Sequence, residues 1–151
     1  MSYELTVERV IEAPAEVVFD AFTDADAQRV WMQDPDDPNA IVESQCDLRV
    51  GGTWVAAWGP SRDERYRETN VFQIVDRPHR LVMTTTSTTP DGASLETSTE
   101  VTFEERDGKT RMTVVQRGFP TAEVRDYFAS TAWPAALEAL DRFVRRKEKP
   151  T

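Results

Sequence analysis

The sequence contains few side chains that could carry out chemistry, and their spacing forms no common catalytic device. His79 is the single histidine and stands between a proline and an arginine, in a segment typical of an exposed turn. Without a second histidine there is no zinc ligand set, and no serine or cysteine has a neighbouring histidine base. A carboxylate inside an apolar cavity can still act as a general acid or base, and Glu68 is the catalytic candidate that we retain.

The other ligand-type residues favour structural roles. Cys46 is the single cysteine, so it cannot form an internal disulfide, and its place in an alternating pattern predicts a small buried side chain. Asp34, Asp36 and Asp37 form an acidic run that prolines interrupt, without the spacing of calcium ligands, which favours a solvated loop. We therefore expect no metal site and no cofactor.

Two tryptophans four residues apart give a different kind of candidate site. In the segment VGGTWVAAWG, a strand places Trp54, Ala56 and Trp58 on one face, because side chains alternate along a strand. A close-packed core would fill the gap between two such rings, whereas an alanine leaves room. The spacing therefore predicts a partly hollow interior beside Ala56.

The periodicity of the whole chain supplies the elements that must position these residues. An alternating segment at residues 3–11 predicts a first strand, and two short helices follow, the second capped by Asp24. From residue 41 the period changes to two, and turn residues divide the segment into six antiparallel strands. An amphipathic helix ends the chain. The sequence thus predicts an α+β fold in which a long helix lies across a curved antiparallel sheet.

The same patterns predict where individual side chains point. We expect Val30 and Trp31 to pack inward from the second short helix, and Ile74 to face the long helix from its strand. Asp141 falls on the polar face of the last helix, opposite its apolar stripe. Each expectation assumes that the local period continues without interruption.

Pro134 decides where the last helix begins. A proline inside a helix costs about 3 kcal/mol, so we expect this helix to begin near Thr131, capped by that residue or by Ser130. Residues 121–129 then form a separate helical piece. A break between two helices is the predicted result.

Composition and charge exclude several classes of function. The chain has 151 residues, which suits a single core, and we treat residues 1–151 as one domain. Its formal charge of -9 disfavours nucleic acid and anionic membrane surfaces as partners. The N-terminus lacks the pattern of a signal peptide, and no apolar run is long enough to span a membrane. With the lone cysteine, these features favour a cytoplasmic protein.

Several segments resemble one known family. They are APAEVVFDAFTDADAQRVW, LRVGGTW, DRPHRLV, EVTFEERDGKTRMTV and TAWPAALEALDRF. In these segments and in the order of its elements, the chain resembles the START-like (SRPBCC) helix-grip superfamily, in the branch named activator of heat-shock-protein-90 ATPase homologues. The resemblance covers nearly the whole chain. It implies about seven strands in the order β-α-α-β6-α, wrapped around a long C-terminal helix, with a hydrophobic cavity between sheet and helix.

Alternation along the strands, together with the apolar positions of the helices, predicts which side chains line that cavity. Large rings separated by small residues fit a partly hollow interior better than a filled one. The predicted lining residues are Trp31, Trp54, Ala56, Trp58, Tyr66, Glu68, Asn70, Phe72, Met83, Thr85, Phe103, Met112, Gln116, Phe119, Tyr127, Phe128, Trp133 and Leu137.

Four polar residues, Arg9, Glu68, Asn70 and Gln116, share faces with apolar neighbours. Arg9, paired with Glu68 or Gln116, could orient a polar group of a ligand. The alternative is that a bulge or an edge position places these side chains in solvent. A buried unpaired charge is costly, so each must be paired, solvated or at the cavity mouth.

Three functions remain open. The first is binding of a small hydrophobic or amphipathic molecule in the cavity. The second is an enzyme of the cyclase or dehydratase type, acting on a small hydrophobic, polyketide-like substrate. The third is a stress-related co-chaperone, which we place last because the sequence lacks the partner-binding N-terminal region of the eukaryotic co-chaperones. An exposed sheet edge could also pair two copies as a homodimer.

Overall fold

The computed structural model describes residues 2–33, 36–37, 39–61 and 63–148, so Asp34 of the acidic run lies outside the described residues. Within these ranges there are seven strands, four α-helices and one π-helical turn. The elements in chain order are β1 (Tyr3–Ile11), α1 (Ala15–Thr23), α2 (Ala25–Trp31), β2 (Ile41–Cys46), β3 (Thr53–Ser61), β4 (Glu64–Asp76), β5 (Arg80–Thr88), β6 (Ser94–Arg106), β7 (Lys109–Phe119), α3 (Ala122–Tyr127), the π-helical turn (Phe128–Ala132) and α4 (Trp133–Glu148).

The strands form one antiparallel sheet in the order β1-β7-β6-β5-β4-β3-β2. Strands β2 to β7 follow one another as neighbours, whereas β1 returns to pair with β7, so that Val7 lies opposite Val114. The helices lie against the concave face, mainly over β1, β2, β6 and β7. This arrangement confirms the predicted α+β helix-grip architecture.

The two short helices fill one end of the concave face. Asp24 caps α2 as predicted, because its carboxylate accepts from the Ala27 amide at 2.9 Å. The ring of Phe22 stands edge-on to Trp54 with the ring centroids 5.3 Å apart, and it stacks on Trp31 at 5.8 Å. Such ring pairs add about 0.5–1.5 kcal/mol each beyond the area that they bury. This end of the molecule is packed core.

Two of the predicted side-chain directions are wrong. Val30 is 56% exposed, because consecutive helical residues lie 100° apart and α2 buries only the stripe that contains Trp31. Ile74 also points outward, because the register of β4 with β5 shifts between Phe72 and Ile74. The shift turns the neighbouring Val75 towards the core.

The predicted break before α4 is also wrong, because a π-helical turn joins α3 to α4. The amide of Trp133 donates to the carbonyl oxygen of Phe128, five residues back, so the turn is wider than an α-helical one. A wider turn gives room to the ring of Pro134, which in a regular helix would clash with the carbonyl group four residues before it. Ser130 does not cap a helix, since its hydroxyl donates to the Asp126 carbonyl oxygen at 2.6 Å.

Asp141 lies in the interior rather than on the polar face of α4. It is 1% exposed, and its carboxylate accepts hydrogen bonds from Arg9 at 3.0 Å and 3.2 Å and from Arg145 at 3.0 Å. Two guanidinium groups offset the cost of burying this carboxylate. Arg9 is therefore bound to Asp141, and the structure does not bring it to Glu68 or Gln116.

Candidate functional site

The concave face of β3, β4 and β5 gathers small and polar side chains into two adjacent rows. Cross-strand pairing places Ala56, Glu68 and Ser87 opposite one another in the first row. In the second row Asn70 lies opposite Thr85. The helices approach the sheet over other strands, so these rows belong to the part of the concave face that helices cover least.

A chain of hydrogen bonds runs along this face and ends at Glu68. The hydroxyl of Thr85 donates to Asn70 Oδ1 at 2.7 Å and lies 2.8 Å from the hydroxyl of Thr99. Because Thr85 has a single hydrogen to donate, Thr99 is the donor of the second bond. Asn70 Nδ2 then donates to Glu68 Oε1 at 3.2 Å. The direction of donation is therefore set from Thr99 to the carboxyl group of Glu68.

A second set of hydrogen bonds ties α4 to the sheet. The indole nitrogen of Trp133 donates to Gln116 Oε1 at 2.8 Å, and Gln116 Nε2 donates to the hydroxyl of Thr97 at 2.8 Å. Gln116 is 1% exposed, so its amide needs both partners. These bonds fix the first turn of α4 over β6 and β7.

Glu68 and Ser87 are the groups of the site whose hydrogen bonding is incomplete. Glu68 is half-buried, and this burial raises the pKa of its carboxyl group, while the hydrogen bond from Asn70 lowers that pKa in part. The enclosed hydroxyl oxygen of Ser87 has no hydrogen-bond partner among the described residues. An unsatisfied hydroxyl of this kind costs about 1–3 kcal/mol.

Aromatic rings flank these polar rows where the site meets solvent. Trp58 is half-buried and stacks on Tyr66 with the centroids 6.2 Å apart, and Tyr66 is 46% exposed. Near the start of α4, Phe128 contacts Phe119 at 5.2 Å and Tyr127 at 5.8 Å, and Tyr127 is 58% exposed. The two tyrosines therefore lie at the surface, whereas they were predicted as cavity lining.

The other predicted lining residues are buried within the hydrophobic core. They are Trp31, Trp54, Phe72, Met83, Phe103, Met112 and Leu137. Ala56 is buried too, between Trp54 and Trp58 on β3. Whether any of these residues touches a ligand stays a prediction.

Hydrogen bonding holds Trp54 in place at the packed end. Its indole nitrogen donates to the hydroxyl of Ser44 at 3.0 Å, and Ser44 donates to Gln28 Oε1 at 2.5 Å. Gln28 in turn donates to the carbonyl oxygen of Phe22 at 2.8 Å. Ser44 and Gln28 were not predicted from the sequence, because the partner of a polar residue on an apolar face is known only once the helix and the strand are in contact.

Three further polar residues of the concave face were also missed. Ser87 shares its face with Thr85, and Thr97 and Thr99 share theirs with Val101. Continuing the alternation along β5 and β6 would have identified all three. The alternation was present in the sequence, but it predicts these positions only if threonine and serine are treated as possible interior residues of a strand.

Elsewhere the described residues offer weaker candidates. His79 is exposed and borders a groove of about 790 Å³, where the carboxylate of Glu105 accepts from the first amide of α1, that of Ala15, at 2.8 Å. Burial raises the pKa of the half-buried Cys46 thiol to about 11, which makes it a poor nucleophile at neutral pH. The described residues contain no cluster of metal-ligand side chains, and none of their helices is long and apolar enough to cross a membrane.

Solved structures of several bacterial proteins share this fold. Mll3558 from Rhizobium loti is 24% identical, with 95% of this chain and 97% of that chain covered and a TM-score of 0.74. Ms6760 from Mycobacterium smegmatis is 20% identical, with 98% and 91% covered and a TM-score of 0.76. MLL2253 from Mesorhizobium loti is 16% identical, with 97% and 100% covered and a TM-score of 0.77. These similarities establish the fold alone.

Comparison with protein families identifies the group to which the chain is related. A comparison with curated protein sequences gives no match. The family model described as activator of Hsp90 ATPase homolog 1-like protein matches residues 12–145, which is most of the chain. The match agrees with the order of strands and helices and with the sequence segments that flank them. The chain therefore belongs to the family of activator of Hsp90 ATPase homolog 1-like proteins.

Proposed function

We propose that this protein binds a small amphipathic molecule on the concave face of the sheet, between strands β3 to β5 and the first turns of α4. The family commonly binds hydrophobic ligands, which supports the proposal. The single observation that carries it is the stacked pair of Trp58 and Tyr66, partly exposed beside the polar row of Glu68 and Ser87. Apolar surface with a few convergent polar groups is the usual composition of a small-molecule site.

The alternating chemistry of β3 and β4 gives the site its amphipathic character. Trp58 and Tyr66 lie opposite each other, and the next cross-strand pair is Ala56 and Glu68. An apolar body stacked on the rings would thus have its polar end near Glu68. Ala56 supports the proposal because its small side chain takes up little of the volume between the two tryptophans.

Binding can be tested with N-phenyl-1-naphthylamine, a neutral dye whose emission rises in apolar surroundings. We expect saturable binding by the unmodified protein and about tenfold weaker binding by Trp58→Ala, equivalent to ~1.4 kcal/mol. Val30→Ala is the matched control, because Val30 is exposed on α2, away from the site. Equal loss in both variants, or no saturable binding at all, would contradict the proposal. Native mass spectrometry of the purified protein would identify the mass of any ligand that copurifies.

A second candidate function is an enzyme of the cyclase or dehydratase type. The observation that favours it is the place of Glu68 on the concave face, where burial raises the pKa of its carboxyl group, because a raised pKa brings a carboxyl group closer to the range in which it can act as a general acid. If such a substrate is found, Glu68→Gln should abolish turnover and leave substrate binding within about tenfold. Equal turnover by both proteins would remove Glu68 from the mechanism.

A further inference from the structure

We propose that the polar group of the ligand is an uncharged hydrogen-bond acceptor, a ketone or ester carbonyl, held between Glu68 and Ser87. The inference deepens the proposed function and rests on it, since it concerns the same concave site. It commits the site to one class of ligand and excludes carboxylates, phosphates and amines as preferred occupants.

The hydrogen-bond inventory around Glu68 is the first support. Asn70 Oδ1 accepts from Thr85, so the amide nitrogen of Asn70 must face Glu68, where it donates to Oε1 at 3.2 Å. Oε1 thus has its donor, so a proton on this carboxyl group would be carried by Oε2. When protonated, the carboxyl group at this position is a hydrogen-bond donor that needs an acceptor.

Ser87 supplies a second donor beside the first. It lies directly opposite Glu68 across β4 and β5, and its hydroxyl oxygen is enclosed without a hydrogen-bond partner among the described residues. Its other cross-strand neighbour, Leu95 on β6, has no polar side-chain atom. A carbonyl oxygen has two lone pairs, so it can accept from the carboxyl group and from the hydroxyl group together.

The charges around the site argue against ionic ligands. The side chains that share the concave face with Glu68 are Ala56, Trp54 and Trp58 from β3, Thr85 and Ser87 from β5, and Tyr66 and Asn70 from β4 itself. Tyr66 is the one titratable group among these neighbours. Among the described residues, Arg9 is a cation that shares a face with the core, and Asp141 holds it.

Among the described residues that share this face, an anionic head group would therefore meet a carboxyl group and no cation, which is costly where water is partly excluded. An amine would need Glu68 to be ionised. Burial opposes that ionisation by raising the pKa of Glu68, although Asn70 offsets part of the rise. A neutral hydrogen-bond acceptor avoids both the unpaired anionic charge and the ionisation of Glu68.

Three probes with the same apolar body test the polar preference directly. They are 2-acetylnaphthalene, 2-naphthoate and 2-naphthylmethylamine, each titrated calorimetrically into the unmodified protein at pH 6. We expect the ketone to bind at least about tenfold more tightly than either charged probe. Equal affinity for the naphthoate, or tightest binding of the amine, would overturn the inference.

Variants at Glu68 and Ser87 test the two donors. Glu68→Leu and Ser87→Ala should each weaken binding of 2-acetylnaphthalene by about tenfold. Glu68→Gln should restore most of the lost affinity, because its amide still donates a hydrogen bond. Glu96→Gln, an exposed glutamate on β6, is the matched control and should have no effect. Unchanged affinity in both Glu68→Leu and Ser87→Ala would overturn the inference.

The pH dependence separates a donor role from simple packing. Affinity for the ketone should fall as the pH rises through the raised pKa of Glu68, because the ionised carboxylate has no proton to donate. In Glu68→Gln the affinity should be constant over the same range. A pH dependence that persists in Glu68→Gln would contradict the proposed donor.

The failure of this inference differs from the failure of the proposed function. If the naphthalene probes bind but show no preference for the ketone, the concave face binds apolar molecules and the proposed preference for a carbonyl group is wrong. If none of the three probes binds, and the neutral dye also fails, the site itself is excluded.

Discussion

The two tryptophans of β3 lie four residues apart on one face of the sheet, yet their surroundings differ. Trp54 is 4% exposed, packs edge-on against Phe22 and donates to Ser44. Trp58 is half-buried and stacks on Tyr66, which is itself partly exposed. The difference arises because α1 and α2 cover the end of the concave face that holds Trp54, whereas no helix among the described residues covers Trp58 to the same extent.

The polar groups of the two ends differ in the same way. At the packed end, Ser44 and Gln28 complete a closed set of hydrogen bonds to the tryptophan and to the backbone. At the end that holds Trp58, which we call the open end because the described helices contact it least, Ser87 has no partner among the described residues and Glu68 has one donor. One end therefore contributes stability, and the other keeps polar groups whose hydrogen bonding is incomplete.

The largest expected contrast is in stability. Trp54→Ala should lower the free energy of unfolding by about 3–5 kcal/mol, because it opens a cavity in a packed cluster and leaves Ser44 without its donor. Trp58→Ala should lower it by about 1 kcal/mol or less, because the ring already contacts solvent. Urea denaturation at pH 7 measures both values. Similar losses would mean that the two ends are equally packed.

The second contrast compares two serines on the same concave face. Ser44→Ala should cost about 1–3 kcal/mol, since it leaves the indole N–H of Trp54 and the amide of Gln28 incompletely paired. Ser87→Ala should change the free energy of unfolding by less than about 0.5 kcal/mol, or stabilise the protein, because it removes a hydroxyl that has no partner. A large loss in Ser87→Ala would reveal a hidden structural partner.

The third test uses pH to examine the open end. Because burial raises the pKa of Glu68 in the folded state, that state holds its proton more tightly than the unfolded chain does. The stability of the unmodified protein should therefore fall, relative to Glu68→Gln, as pH rises from the unfolded pKa through the folded pKa. Chemical denaturation between pH 4 and pH 8 measures the difference. A difference that does not change with pH would mean that Glu68 is fully solvated.

The smallest effect is expected where the two ends meet. Ala56→Leu should change the free energy of unfolding by less than about 1 kcal/mol if open volume lies beside Ala56, and it should weaken dye binding by filling that volume. In packed core the added atoms would cost about 1–3 kcal/mol. Such a cost, combined with unchanged dye affinity, would place Ala56 in the packed end.

The elements of the fold were accessible from sequence because their signals are local. The alternation in β1 and the cap at Asp24 each depend on a few neighbouring residues, and both were predicted correctly. Asp141 was not, because its burial depends on Arg9, 132 residues away. Pro134 was misinterpreted because a π-helical turn is an alternative that local propensity does not include.

The candidate site was only partly accessible for a related reason. Alternation identified Glu68, Asn70 and Gln116 as facing inward, and the structure places them on the concave face. Alternation could not show that Ser87 would be left unpaired, since that depends on its partners across two strands. Hydrogen-bond satisfaction is a property of the assembled sheet and not of one strand.

The pairing of β1 with β7 also has a consequence for how the chain reaches its native state. Tyr3 lies opposite Phe119, so the first strand cannot find its place until almost the whole sheet has been synthesised. Contacts between residues so far apart in sequence make folding slow, on the order of milliseconds to seconds for sheets of this kind. During that interval the edge of β7 that will pair with β1 has no partner and can pair with another chain. Before β1 is in place, pairing of β7 with a second copy of the chain therefore competes with completion of the sheet.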